Sequence, residues 1–437
     1  MDFTHSPHAM ALCSQLDAFM QRYLLPYNAA WHASVSQGVF PPPFLEDLKA
    51  LAREEGLWNL FLPGLKADEP GTRLCNLDYA PLAETMGRLP WAAEVFNCSA
   101  PDTGNMELLH RFATPMQRER WLVPLLDGRI RSAFAMSEPD VASSDPTNLH
   151  ATVRRAGGQL VLNGRKWFIT GAAHPDCRLL VVMCRDQDDN DDDGDGDSTQ
   201  VEAHGRHSMV LVPLDTPGVQ VVRNIAVLHH HAPEGHCEIL LRDVRVPEDH
   251  LLGDRGQGFA MAQARLGPGR VHHCMRTVGQ CELALELLTG RTLERHAFGH
   301  YLSEFSNVQD WIAESRIEID QARLLVLHAA WLLDVGTADP ALLRAQVAAI
   351  KVVAARLQTR VVDRAMQVFG AMGLSPDTPL AYFWTWGRAL HLMDGPDEVH
   401  LRTVARHELA RARERAGATS AWFTTPEQLQ APPRIRS

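Results

Sequence analysis

The sequence predicts an α+β protein in three blocks: an N-terminal all-α domain, a small middle β-barrel domain and a C-terminal four-helix bundle. Three observations carry this prediction. Apolar residues recur at three- and four-residue spacing in the first part of the chain and again from about residue 256, the period of amphipathic helices. Between these parts lie seven or eight short β-like runs. The 437 residues also fit roughly three domains of about 150 residues each. The blocks are placed at 1–130, 131–250 and 251–437.

In the first block the helical period runs through Leu12–Leu24, Phe44–Leu51, Leu77–Met86 and Met116–Leu126, with Pro41-Pro42-Pro43 and Pro63-Gly64 as punctuation. The middle block opens with Ser132–Met136. It continues through Leu149–Arg154, Leu160–Leu162, Lys166–Thr170, Leu179–Cys184, Ser208–Pro213, Val219–Val222 and Glu238–Val246. Asn163-Gly164, between two of these runs, is a type I′ turn signal and predicts a hairpin there. So many short runs in one segment predict an antiparallel barrel or sandwich. In the third block Leu343, Val347, Ile350, Ala354, Leu357, Val361, Ala365 and Val368 keep three-four spacing, and no Gly follows before Gly370. Val308 to Asp334 forms a second long amphipathic stretch. Narrow stripes on long helices suit a four-helix bundle or a subunit interface. The order argues against a doubly wound nucleotide fold. Gly253, Gly256 and Gly258 lack the G-x-G-x-x-G spacing of a dinucleotide loop.

Composition narrows the function classes. Hydrophobic residues are 45% and charged residues 22% of the chain, the balance of a globular protein. No stretch of about 20 apolar residues predicts a membrane span. The formal charge of −11 is concentrated: eight Asp lie between Asp186 and Asp197, and without them the charge is −3. Nothing in this distribution predicts a nucleic-acid surface. Met1–Met10 lacks the basic start of a signal or transit peptide, which leads to an expected cytoplasmic location. The eight cysteines include no C-x-x-C pair and read as buried reduced thiols.

Two histidine groups and the Asp-rich segment raise the question of metals. Asp189-x-Asp191-x-Asp193-Gly194 matches the opening of a calcium loop, but Gln200 stands where the twelfth-position Glu belongs, and a solvated insertion near 186–200 is the expectation. His229-His230-His231 with His236, and His272-His273, place neighbours on different faces of their element, so no metal site is predicted.

Two stretches carry candidate chemistry. Ala133-Phe-Ala-Met-Ser-Glu-Pro-Asp-Val-Ala-Ser-Ser-Asp145 ends a strand at Met136, and Pro139 stops the ladder. The amides and hydroxyls exposed there suit flavin pyrimidine oxygens or a phosphopantetheine arm, and equally an ordinary turn. Lys166-Trp-Phe-Ile-Thr-Gly171 ends a further strand with an aromatic pair and a hydroxyl. In Ala389–Arg402, Asp394-Gly395-Pro396 breaks one helix, and Asp397 with Glu398 suits the first turn of the next. A carboxylate at such a break beside Met393 would be partly desolvated, with a raised pKa, and so suited to act as a base. Asp397 as a plain helix cap, with Asp394 in solvent, is the other reading.

Together these segments resemble the acyl-CoA dehydrogenase family over nearly the whole chain. Arg118-Glu-Arg-Trp-Leu-Val-Pro-Leu-Leu-Asp-Gly128 is similar to the family's helix before the barrel. Met136-Ser-Glu-Pro with Ser143-Ser-Asp145, and Phe168-Ile-Thr170, resemble its flavin-binding strand ends. Arg295-x-x-Phe298-Gly299 and Gln367-x-x-Gly370-x-x-Gly373 resemble the segments that reach FAD from a neighbouring subunit. Asp394-Gly395 occupies the place of the family's Glu-Gly base. The Asp-Gly-Pro-Asp-Glu-Val-His and Gly-Pro-Gly-Arg-Val-His-His versions resemble a branch whose animal members can be fused to kinase-like domains, a branch associated with long, branched or hydroxylated acyl chains.

The resemblance implies an FAD-dependent oxidoreductase of fatty-acid β-oxidation, acting on CH–CH donors. It converts an acyl-CoA thioester to the trans-2-enoyl-CoA. Asp394 abstracts the α-proton as the β-hydride passes to flavin N5, and the polarised thioester carbonyl is stabilised as in an oxyanion hole. It assigns cofactor binding to Met136, Ser137, Ser143, Phe168, Ile169, Thr170, Arg295, Phe298, Gln367, Gly370, Ala371, Pro396 and Glu398. Substrate binding falls to Ser144, Arg270, Gly395 and Arg406. Arg270, near the base, would favour the ionised carboxylate until substrate desolvates the site. The implied partners are an electron-transferring flavoprotein as acceptor and a homodimer or homotetramer.

Several positions depart from the common pattern. Asp394 is one methylene shorter than Glu. The alternative base position of some relatives, on a helix beginning near Arg270, is here Gly269. Phe168 stands where many members carry Trp, Pro396 where they carry Thr, and Ser306 where they carry Gln. Two further readings stay open: an oxidase reducing O₂, since the choice of acceptor depends on solvent access to the flavin, and, from the changes at Asp394, Pro396 and Ser306, a catalytically weak acyl-CoA-binding protein on the same fold.

Overall fold

The computed structural model describes residues 2–66, 68–187, 205–415, 422 and 424. The Asp-rich insertion, apart from Asp186 and Gln187, falls outside the described residues.

The first block is built of helices: α1 (Pro7–Phe19), α2 (Asn28–Ser36), α3 (Leu45–Glu54), α4 (Asn76–Gly87), α5 (Ala92–Val95), α6 (Asp102–Phe112), α7 (Pro115–Gln117) and α8 (Val123–Leu126). Ser6 starts α1 by accepting the Ala9 N–H at 3.1 Å, and Pro7 there sacrifices no helical hydrogen bond. α7, Arg118–Leu122 and α8 follow without a break, so the Met116–Leu126 period is one helical run. The apolar period did not reveal α6, because the side chains it buries include Asp102, Asn105 and Glu107.

The middle block is one sheet of β1 (Arg131–Ala135), β2 (Thr152–Ala156), β3 (Gln159–Thr170), β4 (Cys177–Asp186), β5 (His207–Pro213), β6 (Val219–Asn224), β7 (His236–Pro247) and β8 (Leu251–Leu252). Its order is β6-β7-β3-β2-β4-β5-β8, with β1 also on β4. Two expectations are corrected. The pairings β1–β4 and β2–β4 are parallel, so the sheet is mixed. Asn163-Gly164 lies inside β3, and the hairpin turn is Gly157-Gly158, at φ +61 and +76. Both central residues of a type I′ turn need positive φ, which two glycines supply freely. Gly164 serves a close approach instead: a Cβ there would lie 2.4 Å from the Ala151 Cβ.

β4 explains why the strand pattern was a continuous apolar run. Leu179, Val181 and Met183 join the core shared with the helices, while Leu180, Val182 and Cys184 face the interior of the sheet domain. A strand with both faces buried loses its polar alternation.

The third block contains α9 (Gly258–Glu294), the two-stranded hairpin β9 (His296–Ala297) and β10 (His300–Tyr301), and then α10 (Ser306–Val335), α11 (Pro340–Phe369), α12 (Leu380–Leu390) and α13 (Asp397–Glu414). α9 begins twelve residues before Arg270, which corrects the expected helix start, and Gly267-Pro268-Gly269 lies within it. α11 packs against α9, α10, α12 and α13. α4 crosses α9 so closely that a Cβ on Gly87 would lie 2.1 Å from the Arg276 carbonyl oxygen, and one on Gly279 would lie 1.9 Å from that of Glu84. The Asp334 carboxylate, on α10, accepts the Asn76 and Leu77 N–H groups at 2.9 and 2.7 Å and so caps α4. These contacts join the first and third blocks through one core that also takes in one face of the sheet. Among the described residues no helix is long and apolar enough to cross a membrane.

Candidate active site

α12 ends at Leu390 and α13 begins at Asp397. In the turn between them Asp394 has φ +52 and Gly395 φ +99. A left-handed Asp costs about 1 kcal/mol and needs support from its surroundings. That support converges on its carbonyl oxygen, which accepts Arg270 Nε at 3.2 Å, Arg270 Nη2 at 2.9 Å and His400 Nε2 at 3.1 Å. Because a carbonyl only accepts, His400 carries its proton on Nε2. Gly395 must be glycine here, since a Cβ would lie 2.9 Å from that nitrogen. The fully buried Lys351 donates to the Leu390 carbonyl and so holds the end of α12.

The Asp394 carboxylate keeps 29% exposure, and His273 Nε2 lies 3.7 Å from its Oδ2. Burial pushes its pKa up, but His273, Arg270, Arg265 and Lys351 together outweigh burial and hold the carboxyl below its ordinary value. This reverses the local reading of a carboxylate raised by desolvation, and its direction is the one expected from Arg270. His273 is itself lowered to about 4, first by burial and then by Arg276, so it is neutral at pH 7. Asp397 does not act as a side-chain cap; it faces His391 Nδ1 at 2.7 Å.

A second constellation forms where β1 and β3 end. Lys166, fully buried on β3, donates to the Met136 carbonyl at 3.0 Å, to Glu138 Oε1 at 2.8 Å and to the Met183 carbonyl at 2.6 Å. Glu138 also accepts the His150 and Ala151 N–H groups at 2.6 and 3.0 Å. The ion pair therefore fixes the path of the chain after β1. The Trp167 N–H reaches the Ser137 carbonyl at 3.0 Å, which sets the two strand ends side by side. Phe168 has φ +51 and is 43% exposed, with its ring 5.0 Å from that of Trp167. Ile169 is buried, and Thr170 Oγ1 lies 2.9 Å from His236 Nδ1. The Ser143 hydroxyl accepts the Glu138 N–H at 3.0 Å and so braces this turn, while Ser144 is exposed.

The remaining positions lie elsewhere. Arg295 ends α9, roughly 37 Å along the helix from Arg270 at 1.5 Å per residue. Phe298, in the turn of the β9–β10 hairpin, is 95% exposed at φ +53. Gln367, Gly370 and Ala371 are exposed around the end of α11. Pro396 is half-buried in the base turn, whereas Glu398 and Arg406 are exposed on α13. One chain thus brings together Asp394, Gly395, Pro396 and Arg270, and separately the two strand ends.

Sequence reasoning missed the supporting residues. Glu138, Lys166 and His400 were quoted only within their motifs, His273 within a motif and in connection with metals, and His236 only in connection with metals. Lys351, a lone charge beside Ile350 in the apolar run of α11, was a legible signal. Arg265 gave none.

Comparison with known proteins agrees with this architecture. The acyl-CoA dehydrogenase N-terminal, middle and C-terminal domain families match residues 6–129, 133–244 and 256–409. FadE2 of Mycobacterium tuberculosis, described as an acyl-CoA dehydrogenase, is 50% identical over 94% of this chain and 98% of its own length. Mouse acyl-CoA dehydrogenase family member 10 is 48% identical over 92% of this chain, which spans only 37% of that longer protein. A solved Mycobacterium abscessus protein described as an acyl-CoA dehydrogenase superposes with a TM-score of 0.87 at 46% identity, covering 94% of this chain and all of its own.

Proposed function

Since the chain belongs to the acyl-CoA dehydrogenase family, we propose that it oxidises an acyl-CoA thioester to the trans-2-enoyl-CoA with Asp394 as the base. It is an oxidoreductase and its cofactor is FAD. Bound FAD supplies the hydride acceptor for the β-carbon. The observation that carries the reading is the clamped turn: Arg270 and His400 hold the Asp394 backbone while the neighbouring cations keep its carboxylate ionised.

Each step follows from the residues. The ionised Asp394 accepts the α-proton. Substrate entering the site displaces water, which raises the carboxylate's proton affinity at the moment it is needed. Arg270 is engaged with the Asp394 carbonyl, so its part is to place the base turn. The residues at the strand ends fit the cofactor: Ser137 and Thr170 offer hydroxyls, Phe168 stands exposed beside them, and the buried Trp386 Nε1 and His236 Nε2 near Thr170 have no hydrogen-bond partner among the described residues. Met136 and Ile169 belong to the same strand ends, and Pro396 and Glu398, in the Asp394 turn and at the start of α13, are also assigned to the cofactor. Arg295, Gln367, Gly370 and Ala371 lie at or just beyond the ends of α9 and α11 and Phe298 in the hairpin turn, and the exposure of these residues supports a homodimer or homotetramer in which they reach a neighbour's FAD. Ser144, Gly395 and Arg406 are assigned to the thioester and its CoA arm. Blocks 1–130, 131–250 and 251–437 are proposed as the domains, and an electron-transferring flavoprotein as the acceptor.

The test is anaerobic mixing of the yellow protein with a panel of acyl-CoAs. Wild type bleaches with at least one of them. Asp394→Ala retains its flavin but bleaches at least about 10³-fold more slowly, the loss of a proton-transfer group. Bleaching of this variant at the wild-type rate would eliminate Asp394 as the base.

A further inference from the structure

Thr170 and His236 are cross-strand partners, paired directly between β3 and β7. The register around them is held by the Gly171 N–H on the Gly235 carbonyl at 3.1 Å and by the His236 N–H on Asn224 Oδ1 at 2.8 Å. The backbone therefore imposes the 2.9 Å approach of His236 Nδ1 to Thr170 Oγ1. His236 is 4% exposed, and its other nitrogen, Nε2, has no partner among the described residues. Burial pushes its pKa down to about 4, so the ring is neutral at pH 7 and carries one proton.

The Trp386 ring packs against the imidazole, with centroids 5.3 Å apart at 61°. The contact with Thr170 admits either direction, and in the one that uses the ring as donor the proton sits on Nδ1. Nδ1–H then donates to Thr170 Oγ1, and the hydroxyl hydrogen of Thr170 is left free to point away from the sheet.

We propose that His236, with its proton on Nδ1, is a positioning residue that orients the Thr170 hydroxyl as a donor to the isoalloxazine edge of FAD. The proposal rests on the assignment of Thr170 to the flavin. Its absence would free the hydroxyl to rotate, and the flavin would lose one directed hydrogen bond.

The experiment measures FAD binding to the deflavinated full-length chain by fluorescence quenching, together with the visible flavin spectrum of the holoenzyme. A hydrogen bond of about 1.4 kcal/mol corresponds to a tenfold change in dissociation constant. Thr170→Val and His236→Leu should each weaken FAD binding about tenfold and shift the long-wavelength flavin band alike. The double variant should lose no more than either single one, because both remove the same bond. His236→Gln, whose side-chain amide can still donate to Thr170 Oγ1, should lose less affinity than His236→Leu and guards against misfolding of the leucine variant. Wild-type FAD affinity in His236→Leu, or a roughly hundredfold additive loss in the double variant, would overturn the proposal. A Thr170→Val variant with unchanged affinity and spectrum would instead remove the flavin contact itself, and the positioning role with it.

Discussion

His273 presents Nε2 to Asp394 Oδ2 at 3.7 Å while Nδ1 lies 3.3 Å from Arg276 Nη2. A guanidinium only donates, so Nδ1 accepts and the proton of the neutral ring sits on Nε2, facing the carboxylate. The base is thus met by a fixed N–H dipole as well as by the cations of Arg270, Arg265 and Lys351.

Removing that dipole should raise the proton affinity of Asp394. In His273→Ala the acid limb of the pH dependence of kcat/KM is expected to move to higher pH by up to about one unit, with the alkaline plateau lowered much less. An acid limb in the wild-type position would show that His273 only fills space.

The buried pair Lys166–Glu138 should behave as a unit. Lys166→Met leaves a carboxylate that is 2% exposed with only backbone donors and is expected to cost about 3–5 kcal/mol in urea unfolding. Adding Glu138→Gln removes the unpaired charge, and its single amide oxygen still accepts one of the two N–H groups, so the double variant should recover part of the loss. A double variant as unstable as the single one would refute the charge argument.

Glu107 predicts a pH-dependent stability gain. It is 5% exposed, and burial raises its pKa to about 7, only partly offset by Arg111 and Arg265. A raised carboxyl pKa means the native state holds its proton longer than the unfolded chain. The cost is absent below the unfolded value and grows as pH rises towards 7. Glu107→Gln should therefore stabilise the protein more at pH 8 than at pH 5.5, by about 2 kcal/mol. Equal Tm gains at both pH values would contradict this sign.

Gly279 tests the helix crossing. A Cβ 1.9 Å from the Glu84 carbonyl oxygen has no room unless α4 and α9 separate. Gly279→Ala is expected to lose about 1–3 kcal/mol despite the better helix propensity of alanine. Gly290→Ala, on the same helix with open space around it, should be neutral or stabilising. A Tm for Gly279→Ala equal to that for Gly290→Ala would count against the close crossing.

The sequence by itself determined the order of the blocks, the long helices of the bundle and the break at Asp394-Gly395-Pro396, because periodicity and helix breakers act locally. The family motifs in the same chain pointed to Asp394, the proposed base, and to the strand ends. Other features were decided only in three dimensions. Asn163-Gly164 carries a turn signal, yet Gly157-Gly158 makes the turn and Gly164 gives way to Ala151 across the sheet. α6 escaped notice because its buried face is polar, and only its partners on β1 and α9 make that burial affordable. The electrostatics of Asp394 depend on residues 43 to 129 positions away in the chain: Lys351 on α11, and Arg265, Arg270 and His273 on α9. The three charges and the His273 N–H dipole sum in space, so no local window could weigh them against burial at Asp394.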